Sequence, residues 1–283
     1  MSPLTTARRI AFQGTAGANS HLACRENFPE LEAVPCASFE DAFGAVRDGT
    51  AELAMIPIEN SVAGRVAGVH SLIPHGDLHI VAETFLRVNH QLLAPRGTVL
   101  TELTHVHSHE QALGQCRRYL RRRGIEPVVH ADTAGAAKMV AAGHTPGHGA
   151  IASTLAAEIY GLDILDGDVE DADHNTTRFV VLAERAFVPP LAEGPCVTSF
   201  VFRVRNVPAA LYKALGGFAT NGVNMTKLES YVEPDFNQAR FYADVIGHPG
   251  ETPLANALEE LAFFSDELRV LGTYRAHAFR GLA

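Results

Sequence analysis

Strand and helix patterns alternate through the first two thirds of this 283-residue chain, and no other feature constrains its fold as strongly. Short apolar runs typical of buried strands stand at 9–12, 31–37 and 51–58, and helical patterns begin near Ser20 and Phe39. Such alternation predicts the α/β class, with a mainly parallel sheet covered by helices. The same pattern predicts further strands at 78–94, 104–107, 126–130, 149–152 and 178–184, and helices at 109–123, 133–142 and 154–160.

A proline-rich segment at 187–196 ends this alternation. It contains three prolines and a glycine, a composition typical of interdomain linkers. We therefore expect two domains, at 8–186 and 197–279. A small domain leaves an open sheet edge, so the second should pair with another copy of the chain. Its predicted order is β-α-β-β-α-β, the ferredoxin-like plan, with strands at 198–205, 223–232, 238–247 and 267–274 and helices at 209–219 and 253–264.

Composition excludes several classes of function. The formal charge of -9 disfavours nucleic-acid partners, which normally require an excess of Lys and Arg. The four cysteines are scattered without a C-x-x-C pair, so we expect reduced thiols in a cytoplasmic protein rather than a disulfide framework or a zinc knuckle. The first nine residues lack the apolar core of a secretion signal, and no apolar run approaches the ~20 residues of a membrane span.

Polar clusters border two of the early strands. A glycine-rich turn at 13–21 contains Thr15 and Ser20, and its backbone amides could hold an anion where the next helix begins. A simple turn with Ser20 as the helix N-cap explains the same residues. After the strand at 51–58 come Glu59, Asn60 and Ser61, where α/β sheets place ligand contacts. The alternative is that Asn60 and Ser61 are turn or cap residues.

A further cluster follows the strand at 104–107. Ser108 and Gln111 have the S-x-x-Q spacing of a capping box, which is a complete structural explanation for both. Gln115 lies one turn beyond Gln111 on the same helix face, and the cap does not explain that placement. Histidines 105, 107 and 109 alternate as they would on a strand, but they lack carboxylate or cysteine companions at metal spacing. We therefore expect no metal site.

The tripeptide Thr177-Arg178-Phe179 puts a hydroxyl and a guanidinium at the mouth of an apolar strand. A strand can hold such side chains rigidly while they reach a crevice, whereas the alternative is a solvated loop that enters a core strand. Neither a G-x-S-x-G elbow nor a paired Cys/His signature is present, so covalent catalysis has little support.

Taken together and in this order, the motifs resemble those of the prephenate dehydratases, from about Ile10 to Tyr274. The resemblance implies that 8–186 is a catalytic domain of two α/β lobes, similar to periplasmic binding proteins, with the active site in the cleft between them. It also implies that 197–279 is a ferredoxin-like ACT domain that senses phenylalanine at a subunit interface of a homodimer or homotetramer. The motifs that carry the resemblance are the turn at 14–21, Ile56-Pro57-Ile58-Glu59-Asn60-Ser61, Ser108-His109 with Gln111 and Gln115-Cys116, and Asn175 before Thr177-Arg178-Phe179.

The implied reaction converts prephenate, which carries two carboxylates and a ring hydroxyl, to phenylpyruvate, water and CO2. Aromatisation drives it, so neither cofactor nor metal is expected. By resemblance, Thr177 faces the leaving hydroxyl, and Arg178 or the amides near 14–20 hold a carboxylate. Glu59 could supply a proton if burial raises its pKa. Asn60, Ser108 and Gln115 would position the substrate, and the other predicted contacts are Thr15, Ser20, Ser61, Gln111 and Phe179, the last chiefly by packing.

The regulatory half departs further from the family pattern. Ala209 stands where the family has the glycine of a Gly-Ala-Leu segment, and its Cβ restricts the approach of the backbone. Tyr231 and Val232 replace the Arg-Pro of the family's Glu-Ser-Arg-Pro motif. The affinity for phenylalanine and the sign of its effect therefore stay open. The predicted phenylalanine contacts are Ala209, Ala210, Leu211, Asn224, Leu228, Glu229 and Ser230.

Two other functions fit the same residues. The motifs do not separate prephenate dehydratase from arogenate dehydratase, whose substrate carries an amino group in place of the keto group. A non-enzymatic binding protein is an alternative from another class, because two-lobed α/β architectures also serve solute capture. The fused sensing domain counts against it.

Overall fold

The computed structural model describes residues 2–143, 145–232 and 239–282, and all elements below belong to these ranges. The strands are β1 Arg9–Gln13, β2 Glu32–Cys36, β3 Leu53–Asn60, β4 Gly64–Arg65, β5 His79–Arg87, β6 Gln91–Ala94, β7 His105–Ser108, β8 Glu126–Val129, β9 His148–Ala152, β10 Asp163–Asp166, β11 Thr176–Ala183, β12 Cys196–Val204, β13 Met225–Val232, β14 Ala239–Ile246 and β15 Ser265–Arg275. The α-helices are α1 Pro3–Thr6, α2 Asn19–Asn27, α3 Phe39–Arg47, α4 Ala67–Leu72, α5 Glu110–Gln115, α6 Arg117–Arg123, α7 Thr133–Gly143, α8 Thr154–Tyr160, α9 Ala210–Thr220 and α10 Thr252–Phe264.

The chain divides into two compact units. The N-terminal unit comprises Ala7–Val69 and Thr84–Phe179. The C-terminal unit comprises Met1–Thr6, His70–Glu83 and Val180–Ala283. None of the helices described is both long enough and apolar enough to cross a membrane.

The first sheet has the strand order β2-β1-β3-β11-β5, and β4 pairs with the last two residues of β3. β1 is parallel to both β2 and β3. The end of β3 meets the beginning of β11, because the Ser61 amide donates to the Thr176 carbonyl at 2.9 Å. Side chains from the last residues of β3 and the first residues of β11 therefore lie side by side.

The second sheet has the order β10-β6-β9-β7-β8. Its β7, β8 and β9 are parallel, whereas β6 is antiparallel to both β9 and β10. Alternate strand residues enter different cores, as the pleat requires. Val106 and Ile151 pack with residues of α5 and α6, and Leu93 and Ala150 pack with residues of α7 and α8.

The C-terminal unit contains a four-stranded antiparallel sheet of order β13-β14-β12-β15. Phe200, Phe202 and Phe241 on one face of this sheet form a core with Phe218 of α9 and Leu254 of α10. The rings of Phe200 and Phe218 are stacked with centroids 5.6 Å apart. The chain order through this unit is β12-α9-β13-β14-α10-β15, which confirms the predicted ferredoxin-like arrangement.

The predicted α/β class is confirmed, but several details were wrong. Strand and helix alternation alone predicted one mainly parallel sheet, whereas the two sheets confirm the two α/β lobes that the family resemblance implies. β4, β10, α1 and α4 were missed. The predicted helix at 109–123 is two helices, since Asp171 accepts the Arg118 backbone amide at 3.0 Å and so caps α6 at its start. α6 ends as expected at Gly124, in the left-handed conformation. The predicted strand start at 238 lies outside the described residues.

Candidate active site

A cleft of about 490 Å³ lies in the N-terminal unit. Both sheets contribute to its walls, through the glycine-rich turn, the end of β3 with β4, the α5 segment, the loop before α7 and the beginning of β11. Predicted site residues that line it are Ser20, Asn60, Gln111, Gln115, Thr177 and Phe179. Thr15, Glu59, Ser61, Ser108 and Arg178 are not among the residues that line it.

A chain of side-chain hydrogen bonds runs along the cleft. Asn60 Nδ2 lies 2.9 Å from Thr177 Oγ1 and 2.8 Å from Asn175 Oδ1. Asn175 Nδ2 lies 3.0 Å from Gln115 Oε1, and His90 Nε2 lies 2.7 Å from the same oxygen. Thr177, Asn175 and His90 are buried. Each hydrogen bond restricts the two side chains that it joins, so the chain holds its members in one arrangement.

Backbone contacts fix the direction of every bond in this chain. Asn60 Oδ1 accepts from the amides of Val62 and Ala63, at 2.9 and 2.8 Å, so this atom must be the carbonyl oxygen. Asn60 Nδ2 then donates to both Asn175 and Thr177. Because Thr177 Oγ1 accepts from Asn60, its own hydroxyl hydrogen is left for another acceptor.

The other end of the chain is set in the same way. Asn175 accepts through Oδ1, so its Nδ2 donates to Gln115 Oε1. His90 must then donate to that oxygen through Nε2–H. Burial lowers the pKa of His90 from its ordinary value of 6.5, against a smaller opposite effect of the hydrogen bond to Gln115. The imidazole is therefore neutral near pH 7, with its proton on Nε2.

Arg178 and Glu59 lie differently from the sequence prediction. The Arg178 side chain is 3% exposed, and its Nη1 lies 3.1 Å from Glu59 Oε1. Successive strand side chains point to opposite faces, so Thr177 and Phe179 reach the cleft while Arg178 points away from it. This placement does not support Arg178 as a carboxylate anchor. Glu59 is one third exposed and paired with a cation, not buried as its predicted role requires.

The predicted capping box at Ser108 was wrong. Ser108 is the last residue of β7 and is fully buried, and its hydroxyl donates to the Ile151 carbonyl at 2.6 Å. His109 is the N-cap of α5, where its side chain accepts from the Gln111 amide. Ser108 thus ties β7 to β9. Ser61 is also structural, since its hydroxyl donates to His174 O at 2.6 Å.

The glycine-rich turn brings an uncapped helix start to the cleft. Gly14 and Gly17 have φ angles of 122° and 89°, which only glycine adopts without strain. The N-cap of α2 is Ala18, not Ser20 as one prediction had it, and no side chain caps the first amides. Thr15 Oγ1 lies 3.3 Å from Asp132 Oδ1, which bridges the turn to the loop before α7. The α2 amides and its dipole are available to an anion.

A model of the prephenate dehydratase family matches residues 10–186. The chain belongs to this family. A bifunctional N-acyl-homoserine lactone acylase/prephenate dehydratase of Komagataeibacter europaeus is 51% identical over 96% of this chain and 98% of its own length. Arogenate dehydratase 2 of Petunia hybrida is 39% identical over 94% of this chain and 71% of its own length. The crystal structure of prephenate dehydratase from Arthrobacter aurescens, in complex with L-Phe, has a TM-score of 0.88 at 29% identity, covering 97% of this chain and 92% of that one.

His90 was not among the site residues predicted from the sequence, although it lines the cleft and bonds to Gln115. His90 lies between β5 and β6, and no local pattern marks it. Asn175 stood in the motif used for the resemblance but received no role. The strand period offered a signal, since Asn175 and Thr177 are two residues apart and face the same side. Arg65 and Asp132 also line the cleft and were not predicted.

Histidines of β7 form a cluster away from the cleft network. His107 Nε2 lies 2.8 Å from His148 Nδ1, and the His105 ring is stacked on that of His148. Within the described parts of the chain, no group of three or more His, Cys, Asp or Glu side chains is arranged to hold a metal ion.

The predicted phenylalanine contacts lie on two elements of the C-terminal unit. Ala209 precedes α9 and has φ 61° and ψ 18°, the left-handed region that favours the glycine of the family. Leu228 and Glu229 lie on β13, an edge strand, with Leu228 exposed and Glu229 Oε1 2.9 Å from Lys227 Nζ. Ala210, Leu211, Asn224 and Ser230 lie on or beside the same two elements.

Proposed function

We propose that this chain is a prephenate dehydratase that converts prephenate to phenylpyruvate, water and CO2. The observation that carries the proposal is the hydrogen bond from Asn60 Nδ2 to Thr177 Oγ1. It leaves the Thr177 hydroxyl hydrogen to be donated, and Thr177 lines the cleft. The residue expected to face the leaving hydroxyl is therefore held as a donor.

The reaction needs orientation and charge stabilisation more than strong acid catalysis. Loss of CO2 sends an electron pair into the ring, and the hydroxyl on the opposite ring carbon leaves with the electron pair of its C–O bond and takes up one proton to become water. A threonine hydroxyl is too weak an acid to deliver a proton alone near neutral pH. Thr177 instead stabilises the departing oxygen by a hydrogen bond, in a site organised before the substrate binds.

Gln115 provides a second donor. Its Oε1 accepts from both Asn175 and His90, so its Nε2 faces away from them. Nε2 makes no hydrogen bond with another described residue, and Gln115 lines the cleft. We assign Gln115 to a substrate oxygen and His90 and Asn175 to positioning of Gln115 and Asn60. The α2 amides at Asn19 and Ser20 would hold a carboxylate.

We also propose that residues 197–279 form an ACT domain that binds L-phenylalanine as a feedback effector, with 8–186 as the catalytic domain and 187–196 as the linker. The β-α-β-β-α-β order supports this, as does the L-Phe complex of the Arthrobacter aurescens relative. The predicted contacts from Ala209 to Ser230 stay proposals, as do a homodimer or homotetramer and a cytoplasmic location.

The test is release of phenylpyruvate from prephenate by the purified chain, with and without phenylalanine. Wild type should turn over, Thr177→Ser should keep part of the activity, and Thr177→Ala should lose about 10²–10³-fold in kcat, the usual cost of one such donor. A folded Thr177→Ala variant with wild-type turnover would refute the assignment. Arogenate is assayed in parallel, and a clear preference for it would change the substrate to that of the Petunia hybrida relative.

An acylase activity is the second candidate, favoured by the 51% identity to a bifunctional acylase along 98% of that relative. The assay is release of the fatty acid from an N-acyl-homoserine lactone by the wild-type chain and by Thr177→Ala. Loss of both activities in Thr177→Ala would indicate that one cleft serves both reactions. Absence of acid release by wild type would exclude the second activity.

A further inference from the structure

Arg65 is a positively charged residue that lines the cleft. Among the described residues that line the cleft, no other is Lys or Arg. Arg65 lies on β4, which pairs antiparallel with β3 so that Arg65 is opposite Glu59 and Gly64 is opposite Asn60. The turn between the strands is held by Asn60 Oδ1, which accepts the Val62 and Ala63 amides. Arg65 thus stands on a short hairpin anchored by a residue of the hydrogen-bond chain.

The Arg65 guanidinium has no partner among the described residues. It makes no ion pair or hydrogen bond with another described residue, whereas the Arg178 guanidinium is paired with Glu59 at 3.1 Å. Asp132 adds a carboxylate to the same cleft, where its Oδ1 accepts the Gly135 amide at 2.6 Å. A dicarboxylate that entered this cleft would meet that acidic group, so it needs a cation nearby.

Charge flow in the reaction decides which carboxylate a cation should hold. The ring carboxylate loses its negative charge as CO2 forms, so a cation on it would stabilise the substrate more than the transition state. The side-chain carboxylate keeps its charge throughout and remains in the product. A guanidinium on that group anchors substrate without opposing the reaction.

We propose that Arg65 is the anchor for the side-chain carboxylate of the substrate, the group that phenylpyruvate retains. This inference rests on the proposed function. It assigns to Arg65 the role that sequence analysis gave to Arg178.

The test compares Arg65→Gln with wild type in two measurements: kcat/KM for prephenate, and the inhibition constant of phenylpyruvate. Loss of one charge-assisted contact at an exposed guanidinium should lower kcat/KM at least about tenfold, mainly through KM. The phenylpyruvate inhibition constant should rise by a similar factor. Arg65→Lys, which keeps the charge, should recover part of both. Arg96→Gln, an exposed arginine outside the cleft, should behave as wild type.

The outcomes separate the two proposals. Wild type that releases no phenylpyruvate refutes the proposed function. If wild type is active and Arg65→Gln is unchanged, or if its KM rises while phenylpyruvate inhibition stays the same, the anchor for the side-chain carboxylate is not Arg65. As a control, the thermal unfolding midpoints of Arg65→Gln and wild type are compared. Equal midpoints would show that a changed KM does not result from misfolding.

Discussion

Asn60→Asp should abolish most of the activity while leaving the fold intact. The substitution keeps an oxygen where Asn60 Oδ1 accepts the Val62 and Ala63 amides, at 2.9 and 2.8 Å. It replaces the Nδ2 donor by a second oxygen, 2.9 Å from Thr177 Oγ1. Two acceptors cannot bond each other, so Thr177 must turn its hydroxyl hydrogen toward the introduced carboxylate.

The magnitude follows from what each bond becomes. The turn contacts persist, and Thr177 donates where it accepted. Asn175 Oδ1, which accepts from Asn60, then faces a carboxylate oxygen. If the Asn175 amide turns round to donate to that oxygen, its own Oδ1 faces Gln115 Oε1 instead. One contact between two acceptors therefore remains, and the free energy of unfolding should fall by about 1–3 kcal/mol, which a stable domain tolerates. The hydrogen that would stabilise the leaving oxygen is consumed, and kcat should fall about 10²–10³-fold.

The assay is phenylpyruvate release together with urea unfolding, in a double-mutant cycle with Thr177→Ala. If Asn60 acts through Thr177, adding Asn60→Asp to Thr177→Ala should cost far less than it costs in wild type. The residual cost in that background measures the repulsion between the added charge and the dianionic substrate. An Asn60→Asp variant with the kcat of wild type would refute the reasoning. So would a double variant in which the losses of kcat from Asn60→Asp and Thr177→Ala combine without any interaction.

Further predictions concern stability. Ala209→Gly should raise the free energy of unfolding by about 0.5–1 kcal/mol, because φ is 61° there, and Ala255→Gly inside α10 should lower it by about as much. Arg280→Gln should lower it by roughly 3 kcal/mol, since Arg280 Nε and Nη2 lie 2.6 and 2.8 Å from the buried Glu83 carboxylate. Urea unfolding of the three variants and of wild type would measure these changes. The pKa of His107 is lowered from 6.5, mainly by burial and secondly by neighbouring histidines. At a pH between the folded and the unfolded pKa, His107 therefore binds more protons in the unfolded state than in the folded state. Stability should therefore fall as pH drops through 6.5, and His107→Gln should flatten that profile, as thermal unfolding across pH 5–7.5 would show.

Local patterns predicted the order of elements because strands and helices differ in period and in their end signals. The same patterns placed Asn60 at the end of β3 and Gln115 on one helix face with Gln111, and both line the cleft. The strand period also contained information that was not used. It places Arg178 on the face opposite Thr177, and there the structure pairs it with Glu59.

Other features depend on contacts between residues far apart in sequence. The break between α5 and α6 is fixed by Asp171, which follows α6 by many residues. His90 joins the site only because the chain between β5 and β6 passes beside Gln115. Ser108 satisfies a capping pattern in sequence, yet its hydroxyl donates a hydrogen bond to the Ile151 carbonyl of a neighbouring strand. Tertiary partners of this kind override a local preference worth about 1 kcal/mol.

The sequence allows two interpretations of Asn60, a turn residue or a ligand contact, and in the structure one side chain combines the turn with a contact to a cleft residue. A turn residue of this type uses only its carbonyl oxygen, which leaves the amide nitrogen to point elsewhere. Here the turn consumes Oδ1 and thereby forces Nδ2 toward Thr177, so a structural contact sets the direction of a hydroxyl in the cleft. The same turn carries β4 and Arg65. Any substitution that loosens the turn should therefore disturb both the leaving-group contact and the carboxylate anchor, whereas Asn60→Asp, which keeps the turn, should disturb only the first.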